Sequence, residues 1–368
     1  MVTPTREKII SYAIEKWHED QLRKGNPAFD IEPEISELKE GGYLSYAQSQ
    51  LMRNPNHDQW DGFNERLENL KKTLEKEQQN DVKLKMIMDD ILNYDDLLLI
   101  ANKGIGKTNA LKVLSSELRK LPNTRVIIFE TFPKFCLEFE AIPFVKIHDE
   151  DVTETSHTVD IESYFLRHER DYSVLRGEEI KEALTKHKDL IFTLEIKDIE
   201  RIAFFVYSIV NHFYRKAYLR LYKGYKKREK VIFIVEESQN IFDSSTLSKK
   251  LFNRLRKMFS EARNLDLHFV MCSQRLQDLN TRIRGRTRLM LGNVSLDDYE
   301  LKIMRLLRHS KYKKEILEFP RGTFLYTAQD EIIKFPKFET TEKPYEVKLK
   351  IDLKPKPQEP QKKKGFFS

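Results

Sequence analysis

Six short runs of mainly apolar, β-branched residues recur between residues 97 and 271: Leu97–Ile100, Arg125–Phe129, Phe144–Ile147, Ile191–Ile196, Val231–Val235 and Leu267–Met271. They lack the strict apolar–polar alternation of a strand with one wet face, so they fit strands covered on both faces. Amphipathic helical stretches separate them. One of these carries Ile202, Phe205, Val206, Ile209, Val210, Phe213 and Tyr214 on one side. Strands alternating with helices predict an α/β domain around a mostly parallel sheet. Further on, Thr323–Thr327 and Glu331–Phe335 flank Ala328-Gln329-Asp330 and predict a hairpin.

The flanks differ in texture. Ile9, Ile10, Ala13, Ile14 and Trp17 form one helical stripe, with breaks at Gly25-Asn26-Pro27 and Gly41-Gly42. Trp60, Phe63, Leu67, Leu70 and Leu74 are spaced like a heptad, which predicts an amphipathic helix docked on the main domain rather than a coiled coil. From Thr341 the chain turns Lys- and Pro-rich, a composition expected to be disordered. The organisation read from sequence is a helical region over 1–92, an α/β domain over 93–340 and a basic tail over 341–368. Among 368 residues, 65 Lys and Arg face 58 Asp and Glu, giving a net charge of +7. No apolar run approaches the ~20 residues of a spanning helix. Two distant cysteines, Cys136 and Cys272, give neither a disulfide framework nor a zinc-ligand spacing. An intracellular, soluble, globular protein is the expectation.

The first chemical signal is DDLLLIANKGIGKTNALKVL, residues 95–114. An apolar strand runs into Asn102-Lys103-Gly104-Ile105-Gly106-Lys107-Thr108-Asn109, and a helical pattern follows. Glycines let a loop wrap its N–H groups around phosphate oxygens, and the helix adds its positive end. Lys107 would reach the β/γ-phosphates of ATP, and Thr108 would hold Mg²⁺. The GxxxxGK[ST] pattern is met except at its first glycine, which is Ala101. Alanine is tolerated there only with a negative φ. The second signal is VIFIVEESQN, residues 231–240, a buried strand ending in Glu236-Glu237. Acids at the carboxyl edge of a parallel sheet sit where α/β ligands bind. One acid can serve the magnesium shell, and the next can polarise a water. The third is residues 260–293, where Glu261-Ala262-Arg263 precedes a strand ending in Ser273-Gln274-Arg275.

Taken together, these segments resemble the HerA/FtsK superfamily of P-loop ATPases, which includes DNA translocases, conjugative coupling ATPases and viral genome-packaging ATPases. The resemblance covers residues 93–338 and extends to Ile283-Arg284, Leu289–Gly292 and Pro320-Arg321-Gly322-Thr323-Phe324. It implies a RecA-like fold. It also implies Glu236 as the magnesium-side acid, Glu237 as the catalytic glutamate, Gln274 as the sensor and Arg263 as a finger acting on a neighbouring subunit. A trans-acting finger implies a homo-oligomeric ring, with a hexamer as the expected size. Glutamate at 236, where the family has aspartate, is a second departure beside Ala101.

Arg282, Arg284, Arg286 and Arg288 occur at every second position, and Lys226 and Lys227 belong to a second basic cluster. Such clusters neutralise phosphates, and double-stranded DNA is the expected polymer. The expected function is an ATP-driven motor on that DNA, in virus packaging or mobile-element transfer, working in the cytoplasm (the host's, if viral). Residues 1–92 would dock a protein partner. The alternative is a nucleotide-gated assembly ATPase of the filamentous-phage type that moves no DNA. An AAA-type replication or partition ATPase is disfavoured by glutamine at position 274.

Overall fold

The computed structural model describes residues 6–24, 33–53, 79–93, 96–155, 171–224, 229–242, 247–275, 279, 285–296, 311–340 and 342–349. The chain divides into two compact units, Met1–Lys85 and Met86–Ser368.

The first unit contains α1 (Arg6–Arg23), α2 (Ile35–Glu40) and α3 (Tyr43–Arg53). The stripe read on α1 is its packing face. Ala13 is fully buried with Leu38 and Ala47, and Ile9, Ile14 and Trp17 close around them. The Gly41-Gly42 break is the turn into α3, with Gly42 at φ 77°. The heptad-like positions Trp60 to Leu74 lie outside the described residues. A further helix, α4, covers residues 79–93.

In the second unit, all six sequence-predicted runs are strands of one ten-stranded sheet. In chain order the strands are β1 (Asp96–Ile100), β2 (Thr124–Glu130), β3 (Pro143–His148), β6 (Leu190–Glu195), β7 (Lys230–Val235), β8 (Leu267–Ser273), β9 (Thr287–Leu291), β10 (Thr323–Tyr326), β11 (Glu331–Lys334) and β12 (Tyr345–Glu346). A separate antiparallel pair, β4 (Val152–Thr155) and β5 (Asp171–Val174), was not expected from sequence. The sheet order is β11-β10-β9-β1-β8-β7-β2-β6-β3-β12. The strands from β9 to β12 run parallel, and the predicted hairpin β10–β11 adds an antiparallel edge. This is the α/β, RecA-like arrangement expected. Residues 342–349 depart from the expectation of disorder after Thr341, because β12 pairs beside β3 and Val347 N–H donates to Phe144 O at 2.8 Å. Residues 350–368 lie outside the described residues.

Burial accounts for the unalternating runs. Every residue of β1, β2 and β8 is buried. Phe192, Phe129, Phe233 and Phe269 form a row across four neighbouring strands, with ring centroids 5.7, 6.3 and 5.2 Å apart. Helix α8 (Ile199–Tyr222) lays its apolar stripe on that row, with Phe205 edge-on to Phe192 and Phe213 edge-on to Phe233. It starts where Asp198 accepts the Glu200 and Arg201 N–H groups, an N-cap that fixes its first turn. Among the described residues no helix is long and apolar enough to cross a membrane.

A buried imidazole lies on the same strand as Phe269. His268 on β8 is 2% exposed, and neither ring nitrogen has a hydrogen-bond partner. Burial, helped by the nearby charge of Lys230, pushes its pKa from 6.5 down to about 4. The unfolded chain therefore takes up a proton that the fold refuses. This contribution to stability is intact above about pH 6.5 and is lost as pH falls towards 4. Denaturant unfolding should show wild type losing about 3 kcal/mol more than His268→Leu between pH 7 and pH 4. Parallel pH profiles for the two proteins would refute the assignment.

Candidate active site

The carboxyl ends of β1, β7 and β8 meet at a cavity of about 300 Å³. Its lining includes Lys103, Gly104, Gly106, Lys107, Thr108 and Asn109 from the loop after β1 and the start of α5 (Lys107–Lys120). Strand β8 separates β1 from β7, so Gln274 emerges between the phosphate loop and the acid pair.

The loop is built as the sequence required. Ala101 is fully buried and is not among the left-handed residues, so the missing first glycine costs no backbone strain. Gly104 and Gly106 do take left-handed φ values of 87° and 103°. Gly106 is also crowded, because a Cβ there would stand 3.3 Å from Gly322 N. Gly322 N–H donates to Ile105 O at 2.7 Å, so the turn before β10 braces the loop. No side chain caps α5 at Gly106, which leaves the first amides of the helix available to an anion. Lys107 Nζ donates to Ala101 O at 2.6 Å and to Asn102 O at 3.0 Å, folding over its own loop. Burial lowers its pKa, and the charge of Lys134 lowers it further.

Glu236 is 2% exposed. Its Oε1 accepts from Thr108 Oγ1 at 2.7 Å and from Lys134 Nζ at 2.8 Å, while Oε2 is buried without a hydrogen-bond partner. The longer glutamate thus reaches the hydroxyl that the phosphate loop presents. A hydroxyl and a carboxylate with an unused oxygen form a hard-oxygen donor set that fits Mg²⁺. Glu237 has φ 56°, a left-handed geometry that is uncommon for a side chain of this kind. Its Oε2 accepts from Thr131 Oγ1 at 3.2 Å and Asn240 Nδ2 at 3.4 Å. Ser238 N and Oγ both donate to Cys272 O at 2.9 Å, locking the acidic turn to β8. The Cys272 thiol is pushed up to about 12 by burial and by the charge of Glu236, so it stays neutral beside the cavity.

The remaining expected residues divide. Gln274 is exposed and lines the cavity. Arg263 is exposed just after α10 (Lys249–Ala262) and is not part of the cavity lining. Asn109 spends both ends of its amide on the segment after β11, donating to Pro336 O at 2.8 Å and accepting Phe338 N–H at 2.9 Å. Arg286 Nη1 donates to Ser260 O at 3.0 Å, and Arg288 is exposed on β9 opposite Leu97. Arg282, Arg284, Lys226 and Lys227 lie outside the described residues.

Sequence reading gave no site role to Arg321 and missed Lys134, which both line the cavity, and Glu130, which holds the Lys134 backbone in place. Glu130 is fully buried at the end of β2 and accepts from Lys134 N (2.8 Å), Phe135 N (2.6 Å), Cys136 N (3.1 Å) and Thr193 Oγ1 (2.8 Å). The available signal was an acid closing an apolar strand, the same pattern that marked Glu236.

Ala101 is accommodated through Gly292. A Cβ on Gly292 would stand 2.8 Å from Ala101 Cβ and 2.9 Å from Phe324 Cε1. Overpacking of this kind costs about 1–3 kcal/mol. Gly292→Ala should lower the denaturation midpoint accordingly, and adding Ala101→Gly to the same chain should recover part of the loss. Strict additivity of the two changes would refute the contact.

No family model matches the chain, and no curated protein matches it. Solved structures do. The DNA-packaging ATPase B204 of Sulfolobus turreted icosahedral virus is 13% identical, covering 67% of this chain and 100% of that one, with a TM-score of 0.40. VirB4 of Thermoanaerobacter pseudethanolicus is 13% identical over 67% of this chain and 96% of that one, with a TM-score of 0.38. The pCW3 conjugation coupling protein TcpA is 14% identical over 67% of this chain and 61% of its own, with a TM-score of 0.33. Each is a protein to which this chain is similar over about two thirds of its length.

Proposed function

We propose that the chain is an ATP-hydrolysing motor that acts on double-stranded DNA as a homo-oligomeric ring, in virus packaging or mobile-element transfer. The observation that carries the nucleotide chemistry is the 2.7 Å bond from Thr108 to Glu236, which joins the phosphate loop to the acid pair at the cavity that Gln274 also lines. Lys107 and the loop amides bind the triphosphate. Thr108 and Glu236 would hold Mg²⁺, which offsets phosphate charge when bound. Glu237 orients and polarises the attacking water for in-line displacement at the γ-phosphate. Gln274, between the loop and the acids, relays the state of the phosphate to the loop that follows β8. Arg263, exposed and outside its own cavity, completes the site of a neighbouring copy, and a hexamer is the ring this reading implies. The DNA assignment is supported by the motif resemblance and by the alternating arginines from Arg282 to Arg288, which would track phosphates. Residues 1–92 are assigned to partner docking, 93–340 to the motor and 341–368 to a basic tail.

The test is steady-state ATP hydrolysis with and without double-stranded DNA at low and moderate salt. DNA should stimulate turnover, and salt should suppress the stimulation. Lys107→Ala should abolish turnover, and Glu237→Gln should lower kcat by about 10²–10⁴. Turnover indifferent to DNA would replace the motor with the assembly ATPase, and wild-type rates in Glu237→Gln would remove the role given to that acid.

A further inference from the structure

The loop between β2 and α6 (Phe135–Glu138) delivers an ammonium group into the acid pair. Lys134 Nζ lies 2.8 Å from Glu236 Oε1, the same oxygen that accepts the Thr108 hydroxyl at 2.7 Å. These two residues are the oxygen donors the proposed function assigns to the divalent cation, so Lys134 addresses its positive charge to the atoms the cation would use.

The two ends of Lys134 are held differently. Its backbone is fixed, because Lys134 N–H donates to Glu130 Oε2 at 2.8 Å and to Phe132 O at 2.7 Å. Its side chain is 43% exposed, against 2% for its partner Glu236. The ammonium also lies 5.8 Å from the Phe132 ring centroid, and that ring is itself exposed. The base is anchored and the tip can leave towards solvent. Lysine suits this task, because a point charge on a flexible stem makes one releasable contact where an arginine fork would make two. Burial alone would lower the Lys134 pKa, but the bond to Glu236 and the charges of Glu236 and Glu237 raise it on balance, so the group stays charged there.

We propose that Lys134 is a built-in stand-in for the divalent cation: it neutralises buried Glu236 while the metal is absent and must withdraw before the metal can bind. The proposal rests on the reading of Thr108 and Glu236 as the metal's donors. It makes Lys134 a positioning residue that sets the threshold for metal-dependent loading. Loading then trades one cation for another, and the buried carboxylate is never left alone, a state that low-dielectric surroundings penalise heavily.

The experiment measures Mn²⁺ affinity by electron paramagnetic resonance, in the presence of a non-hydrolysable ATP analogue, for wild type, Lys134→Met and Lys134→Arg. Thermal unfolding without nucleotide, with and without Mn²⁺, is followed in parallel. Lys134→Met should bind Mn²⁺ at least several-fold more tightly than wild type. Without nucleotide it should unfold at a lower temperature, with Mn²⁺ raising that temperature more than it does for wild type. Lys134→Arg, which keeps the charge and can add a second contact, should bind Mn²⁺ no more tightly than wild type. A purely structural ion pair would lower stability in Lys134→Met and leave metal affinity unchanged or weaker, and that result overturns the proposal. Wild type that binds the nucleotide analogue normally and shows equal Mn²⁺ affinity in all three proteins overturns it alone. Wild type that binds no nucleotide at all overturns the reading of the site as well.

Discussion

Glu236 sits 2% exposed where β7 leaves the sheet, and a carboxylate so far from water persists only where donors meet it. The two that do come from opposite directions. Thr108 belongs to the helix that follows β1, and Lys134 to the loop that follows β2. That single oxygen therefore ties three strand ends into one site, with β8 lying between two of them. The positions of Lys107, Glu237 and Gln274 relative to one another follow from this knot, because each is within two residues of one of its members or at the end of the strand it spans.

A second acid shows what the first is not. Glu130 ends β2 as Glu236 ends the neighbouring β7, and both are buried. Glu130 receives four hydrogen bonds, three of them from consecutive backbone amides, and both its oxygens are used. Glu236 keeps one buried oxygen without a partner. The first carboxylate shapes a loop, and the second retains capacity for a ligand. Their contrast separates an acid whose hydrogen-bonding capacity is spent from one that keeps some in reserve, on hydrogen-bond accounting alone.

The strands were legible in the sequence because double-sided burial leaves a run with few polar interruptions, and the phosphate loop was legible because its geometry demands glycine at Gly104 and Gly106. The acid pair and Gln274 were legible as polar residues that abruptly end such runs. What escaped depends on partners far away in the chain. Lys134 looks like any turn lysine until Glu236 is placed against it. Ala101 looks like a defect until Gly292 is seen to vacate the space its methyl group fills. The β4–β5 pair and β12 are too short, and their strands too polar, for a period-two signal to stand out from loop composition. Neighbours, rather than residue type, created those elements.

The brace between Gly322 and Ile105, together with the grip of Asn109 on Pro336 and Phe338, has a consequence for the order of synthesis. A chain emerging from the ribosome presents its phosphate-loop residues early, but strands β8 and β9, which flank β1, and the turn that buttresses the loop arrive late. Until residue 338 has been made, the loop lacks the contacts that hold its left-handed glycines in place. The nascent protein thus carries the glycine loop's sequence long before it carries the braced loop, and a chain truncated before β10 would keep that sequence without its support.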